Sequence, residues 1–290
     1  MKLLITGAGG QLGRDLTRVL SEQHEVVPMT RQQLDIVDEK VVREALADVR
    51  PDAVIHAAAY TKVDLAETET AEAYRINTLG TGYVALAADA VKAKVVYVST
   101  DYVFDGSKGA PYSEDDPVRP LSVYGVTKRL GEQLVETTCA RHYIVRTSWL
   151  YGQGGDNFVT KVLSKAQAGQ PLQVVDDQFG SPTYTRDLAE CIGRLVETEH
   201  YGLYHVSNGG YCSRFAFAEA IVQEAGLAHV ELRPVTSDQF VTPAHRPAHS
   251  AFAHEALRKA GFPPMRGWRE ALAAYIQDDV QIMNSKGEQE

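Results

Sequence analysis

Tyr124 and Lys128 stand four residues apart. On a helix that is one turn, so a phenol and an ammonium share one face. A cation beside a phenol lowers the phenol's pKa and makes it a usable proton donor or acceptor near neutral pH. With 14 tyrosines in 290 residues, chance supplies about half of one Tyr-x-x-x-Lys spacing, so the pair takes its meaning from its context. That context is Ile5-Thr6-Gly7-Ala8-Gly9-Gly10-Gln11-Leu12-Gly13, directly after an apolar opening. It reads as strand, tight turn and helix N-terminus, an arrangement that cradles a pyrophosphate. Gly7 and Gly10 clear the approach to backbone N–H groups, and Gly13 lets helix and strand pack closely. Gln11 and Leu12 belong to the same cradle. The Gly-x-x-Gly-x-x-Gly spacing differs from the commoner Gly-x-Gly-x-x-Gly, although Gly9 also forms a Gly7-x-Gly9 pair. Together the two motifs predict a nicotinamide-dependent oxidoreductase whose acid is a tyrosine.

The residues after the second strand select the cofactor. An acid there binds the ribose 2'-hydroxyl and repels a 2'-phosphate. Here the turn is Pro28-Met29-Thr30-Arg31, with no acid and one arginine, which predicts NADPH over NADH while leaving NADH usable. The alternative is that Arg31 is a solvated surface charge. Asp35, followed by Ile36, is placed to accept from the adenine amino group, or else to shape a local turn. Ala57, Ala58, Ala59 and Tyr60, at the end of the third strand, are candidate cofactor contacts, the alanines small enough for a cofactor to cross the strand ends, although plain packing explains them almost as well. Asn77 is a polar residue in a helical stretch, suited to fixing water or backbone near the site, or to capping.

The elements that position these residues follow from periodicity and punctuation. Apolar runs at Lys2–Thr6, Glu25–Val27 (ending at Pro28), Ala53–His56, Val95–Ser99 and Tyr143–Arg146 read as strands. Helical patterns cover Gln11–Glu22, Glu39–Val49 with Asp38 as N-cap, Ala71–Lys92 and Ser122–Glu136. Strands alternating with helices imply right-handed crossovers and an α/β, doubly wound parallel sheet. Beyond Trp149 the pattern loosens. Asn157–Ala168 and Arg214–Ala225 read as helices and Gln173–Val175 and Tyr204–Val206 as strands, while five prolines break up the last third. Residues 1–150 are expected to form the dinucleotide-binding Rossmann domain, with later strands near 172–188 and 203–208 returning to it. Residues 151–171 and 209–283 mainly build a smaller substrate-binding lobe, and 284–290 a frayed tail.

A net charge of -9 argues against general nucleic-acid affinity, though not against an anionic ligand held by local donors. Cys139, Cys191 and Cys212 are isolated, without metal spacing, and read as reduced packing residues. The chain opens directly into a strand and has no apolar run long enough to span a bilayer. A cytoplasmic protein without membrane or nucleic-acid partners is expected, as monomer or homodimer.

Several stretches carry a more specific resemblance. They are residues 5–13, Ala57-Ala58-Ala59-Tyr60-Thr61-Lys62-Val63-Asp64, Ser99-Thr100-Asp101-Tyr102-Val103-Phe104, Tyr124–Lys128, Arg146-Thr147-Ser148-Trp149-Leu150-Tyr151-Gly152, Asn157-Phe158, residues 177–183 and Arg246-Pro247. The chain resembles the extended short-chain dehydrogenase/reductases and, within them, the family of dTDP-4-dehydrorhamnose reductases. That resemblance implies NADPH-dependent reduction of the C4 ketone of dTDP-4-dehydro-β-L-rhamnose to dTDP-L-rhamnose, a step toward cell-surface polysaccharide. It implies that Thr100 hydrogen-bonds the ketone, that Tyr124 donates the proton, and that Lys128 holds the nicotinamide ribose. Ser99 joins the cofactor contacts. Tyr102 and Trp149 would pack around the sugar, and Asn157, Gln178 and Arg246 would meet sugar, nucleotide or diphosphate. Some family members bridge subunits with Mg2+ through glutamates. Here Arg14-Asp15 offers a shorter carboxylate beside a cation, so no metal is expected. Another nucleotide-sugar reductase or epimerase, or a non-catalytic NADP-binding subunit, are the alternatives.

Overall fold

The computed structural model describes the backbone of residues 1–280 and the side chains of residues 1–278. The tail expected at 284–290 lies outside the described residues. The chain begins as alternating units: β1 (Lys2–Thr6), α1 (Gln11–Leu20), β2 (Glu25–Met29), α2 (Glu39–Val49) and β3 (Ala53–His56). Next come α3 (Val63–Ala66), α4 (Thr70–Tyr74), a π-helical turn (Arg75–Gly80) and α5 (Thr81–Ala90), then β4 (Lys94–Thr100), α6 (Val123–Thr138) and β5 (His142–Thr147). The second half holds β6 (Leu150–Tyr151), α7 (Phe158–Gln167), β7 (Leu172–Val175), β8 (Phe179–Gly180), β9 (Thr183–Tyr184), α8 (Thr185–Val196) and β10 (Gly202–His205). It closes with β11 (Cys212–Ser213), α9 (Arg214–Glu224), β12 (Leu232–Val235), α10 (Glu255–Lys259) and α11 (Trp268–Tyr275).

Six strands form one parallel sheet in the order β10-β5-β4-β3-β1-β2. Alternate side chains of each strand face opposite ways. Leu3, Ile5, Val96 and Val145 therefore enter one core beneath α1 and α8, while Leu4, Val54, Tyr97 and Ile144 enter the other beneath α2 and α5. The chain turns from building one side of the sheet to building the other between β1 and β3. This is the switch point where a doubly wound sheet leaves a crevice at the strand ends. A third core, around Tyr151, Tyr184, Phe217 and Leu272, belongs to the lobe.

Two elements differ from their expected form. Strand β2 does not stop at Pro28, which pairs in register with Ile5. β2 is an edge strand, and an edge tolerates a residue without an N–H. The helix expected over 71–92 is interrupted by the π turn at Arg75–Gly80. The widened turn brings Asn77 and Thr78 inward, where Thr78 Oγ1 donates to the Thr127 carbonyl at 3.0 Å.

The strands expected near 172–188 do not join the main sheet. β7 pairs with β12, β8 with β11 and β9 with β6, each in a two-stranded sheet of its own. The apolar residues of β7, Leu172 and Val174, turn into the lobe core instead. α8, β10 and α10 return to the main sheet and its core, β10 pairing with β5 and Leu257 of α10 entering the core beneath α1 and α8. The three cysteines are buried and unpaired with one another. Among the described residues no helix is long and apolar enough to cross a membrane.

Candidate active site

One cleft of about 760 Å³ runs across the carboxyl ends of β1, β3, β4 and β5. At the β1 end, Gly7 adopts φ +70, and a Cβ there would stand 2.7 Å from the Ala58 backbone. Gly7 and the small residues after β3 are thus one solution to a close backbone crossing. The Gly10 N–H donates to the Gly7 carbonyl at 2.9 Å, closing the turn, and Gly10 caps α1. A Cβ on Gly13 would run into that same carbonyl. The result is a side-chain-free cradle at a helix N-terminus, which fits a dinucleotide pyrophosphate. Gly7, Gly10, Gln11, Leu12, Gly13, Arg31, Asp35, Ile36, Ala57, Ala58, Ala59 and Ser99 all line the cleft. The Arg31 side chain is 72% exposed, with its guanidinium 3.8 Å from the Glu72 carboxylate, so it can swing toward a phosphate.

Helix α6 carries the reactive pair. Ser122 caps it, accepting from the Gly125 N–H at 3.2 Å. Gly125 and Gly131 let it lie close against β4 and the π turn. A Cβ at Gly125 would meet the Tyr102 carbonyl, and one at Gly131 the Tyr97 hydroxyl and the Asn77 carbonyl. That packing brings Tyr124 into the cleft that Thr100, the last residue of β4, also lines. The Tyr102 ring meets Tyr124 edge-on, with centroids 5.5 Å apart.

The electrostatics differ from the simplest expectation. Burial pushes the Tyr124 phenol well up, and the neighbouring Thr100 hydroxyl only partly offsets this. Lys128 does not lower it here. Its ammonium donates to the Val98 carbonyl at 2.7 Å and sits 4.1 Å from the Tyr97 ring centroid. Burial brings Lys128 down to about 7, against the pull of the Glu132 carboxylate one turn on. The phenol is therefore held protonated, as a reductase's acid must be.

Four expected contacts lie elsewhere. Asn77 is buried below the cleft, where its amide accepts from the Tyr60 N–H (2.8 Å) and donates to the Tyr60 carbonyl and to Thr127 (both 3.1 Å). It fixes the chain leaving β3 to α6. Tyr60 turns away, its hydroxyl donating to Glu69 at 2.7 Å. Arg246 forms a bidentate pair with Asp64, at 2.9 and 2.7 Å, and this hydrogen bonding holds the Asp64 carboxyl below the usual range. Gln178 does not line the cleft, and its carbonyl accepts the Arg214 N–H at 3.0 Å. Asn157 does line the cleft, but its side chain is engaged. It caps α7 through the Thr160 N–H and donates to Gln11 at 2.9 Å, tying the lobe to the glycine turn.

Tyr102 and Trp149 line the cleft as expected. The guanidinium missing from the expected set is Arg214. It faces the cleft from the start of α9, with its Cζ 3.5 Å from the Trp149 ring centroid. Burial lowers Arg214 to about 10, so it stays charged at neutral pH. Among the described residues it has no ion pair with a carboxylate. A cation in the first turn of a helix opposes the macrodipole, and that misplacement was the available signal. Asp101 and Thr147 also line the cleft, and both are buried. Asp15, the carboxylate weighed for metal, accepts from Thr185 and pairs with Arg18 instead.

The family model described as the RmlD substrate binding domain matches residues 1–281. The chain is 46% identical over 278 residues to the spore coat polysaccharide biosynthesis protein SpsK of Bacillus subtilis, covering 96% of this chain and 97% of that one. It is 44% identical over 276 residues to a dTDP-4-dehydrorhamnose reductase of Streptomyces griseus, covering 93% and 91%. The crystal structure of the Bacillus anthracis dTDP-4-dehydrorhamnose reductase in complex with NADP superposes with a TM-score of 0.93. It is 43% identical, with 96% of this chain and 99% of that one covered.

Proposed function

The chain belongs to the family of the RmlD substrate binding domain, and on that premise we propose that it reduces the C4 ketone of dTDP-4-dehydrorhamnose with NADPH, giving dTDP-L-rhamnose in the cytoplasm. The observation that carries this reading is that Thr100, Tyr124 and Lys128 line one cleft with the glycine cradle. The cradle holds the pyrophosphate through backbone N–H groups. Asp35 and Ile36 take the adenine end. Bound there, NADPH supplies the hydride.

The protein's own work is to place the sugar and to receive charge. Reduction leaves negative charge on the ketone oxygen. The hydroxyls of Thr100 and Tyr124 stabilise it, Thr100 turning its proton from Asp101 Oδ1, 3.2 Å away, to that oxygen. Tyr124 then yields its proton, for which its protonated resting state is suited. Lys128, at about 7, gains positive charge when it meets ribose hydroxyls and the phenolate that Tyr124 leaves. Tyr102 and Trp149 wall the sugar. Arg214, charged and stacked on Trp149, takes an oxygen of the diphosphate, where charge-assisted hydrogen bonds are strong. Arg246 orders the lobe through Asp64.

Incubation with NADPH and dTDP-4-dehydrorhamnose, followed by product identification, tests the reading. One NADPH consumed per dTDP-L-rhamnose formed supports it. A product formed without net NADPH oxidation marks an epimerase and overturns it.

Cofactor preference gives a further prediction. Arg31 meets the 2'-phosphate, a charge-assisted contact worth about 1.5–3 kcal/mol before exposure weakens it. Arg31→Ala therefore raises the KM for NADPH about tenfold and leaves that for NADH unchanged. Equal wild-type kcat/KM for the two cofactors would refute the role.

A further inference from the structure

The Glu72 carboxylate serves two guanidiniums, and it holds them differently. Arg75 grips it in two places, Nε donating to Oε2 at 2.8 Å and Nη2 to Oε1 at 2.9 Å. Glu72 lies on α4, and Arg75 opens the π turn three residues on. The pair thus spans one helical turn with the acid N-terminal, the favourable order. This two-point contact fixes the carboxylate in place. Arg31 reaches the same Oε1 from the loop after β2, but at 3.8 Å. That is too far for a hydrogen bond and close enough for charge attraction.

The cluster stands at the adenosine end of the cofactor site. Arg31 and Asp35 line the cleft, and Asp35 and Arg75 line an adjoining hollow of about 630 Å³. We infer that Glu72 is a specificity residue for the cofactor, competing with the 2'-phosphate for Arg31 and so limiting the preference for NADPH over NADH. It acts through Arg31 and is therefore a positioning residue.

The competition falls on one cofactor alone. NADPH must draw Arg31 off Glu72 before the guanidinium can meet its phosphate. NADH carries a hydroxyl at that position, so its binding neither needs Arg31 nor disturbs the pair. Glu72 is 33% exposed and Arg31 more so, and water screens a pair of this kind. Such a pair shifts an equilibrium by only about 1.5–5-fold. Arg31 therefore sets the direction of the preference, and Glu72 tunes its size.

The inference rests on the reading that Arg31 meets the 2'-phosphate, and cofactor binding without any sugar separates the two. Kd values for NADPH and NADH are measured by nicotinamide fluorescence for wild type, Arg31→Ala, Glu72→Gln and the double variant. Glu72→Gln should tighten NADPH about 2–5-fold and leave NADH unchanged. Gln keeps the length of Glu, and the Tyr60 hydroxyl bonds to Glu69, so unchanged NADH binding reports an intact site. In the Arg31→Ala background the same substitution should leave NADPH binding unchanged. If Arg31→Ala weakens NADPH but Glu72→Gln does not move the ratio of the two affinities, the inference alone is overturned. A gain for NADPH that persists without Arg31 would also overturn it, because Arg75, released by the same substitution, would then be the group that meets the phosphate. An Arg31→Ala protein that binds NADPH like wild type would remove the Arg31 reading and this inference with it. Absence of turnover with the sugar would defeat the reductase reading and leave these titrations standing.

Discussion

Tyr124→Phe should lower kcat by about 10^2–10^4-fold, the range for loss of a placed general acid, while NADPH binding stays near wild type. The ring of Phe still meets Tyr102 edge-on at the 5.5 Å centroid distance seen here, so the cleft wall survives. What disappears is a hydroxyl that holds its proton because burial keeps the phenol un-ionised. Thr100 remains to stabilise the alkoxide, so activity is reduced rather than abolished. Steady-state kinetics on the two proteins decide this, and a variant retaining more than a third of wild-type kcat removes Tyr124 from the acid's place.

Glu132→Ala should produce the largest loss of stability, about 3–5 kcal/mol. Glu132 is wholly buried and accepts Arg146 Nε and a terminal guanidinium nitrogen, each at 2.8 Å, with Ser99 Oγ at 2.6 Å and Arg129 at 2.9 Å. Burial pushes its carboxyl up, but the Arg146 and Ser99 hydrogen bonds overcome this and hold it below the usual range. Removing it strands a buried guanidinium on β5. Against a typical total of about 5–15 kcal/mol, the variant approaches the unfolding threshold, and its urea midpoint should fall accordingly. A loss under about 1 kcal/mol would mean that Arg146 finds other partners. Where the variant folds, Lys128 loses the carboxylate that keeps it near 7. NADPH should then bind more weakly at pH 7 than at pH 6, as Lys128 deprotonates.

Local chemistry was legible in the sequence where it acts locally. Asp38 accepts from the Val41 N–H at 3.1 Å as an N-cap, and the glycine spacing reads directly as a turn that no Cβ can enter. The Tyr124/Lys128 spacing placed both residues on α6. Contacts made across the fold were not legible. Nothing near Arg246 announces Asp64, 182 positions away, as its bidentate partner. Asn77 reads in the sequence as a polar residue suited to fixing water or backbone, but which backbone, that of Tyr60, and its contact with Thr127 on α6 are set only by the fold. A Tyr-x-x-x-Lys spacing also suggests a lowered phenol. The Val98 carbonyl that draws the ammonium aside belongs to a strand 30 positions earlier. The pairing of β7 with β12 is of the same kind, since a short apolar strand fits any sheet edge that buries it.

Deuterium transfer tests the central claim most directly. The enzyme is mixed with dTDP-4-dehydrorhamnose and NADPH deuterated at nicotinamide C4 on each face in turn, and the product sugar is analysed by NMR. The account predicts dTDP-L-rhamnose carrying deuterium at C4 from one labelled face alone. Tight NADPH binding with no deuterium in the sugar would contradict it and leave a cofactor-binding protein without this reaction.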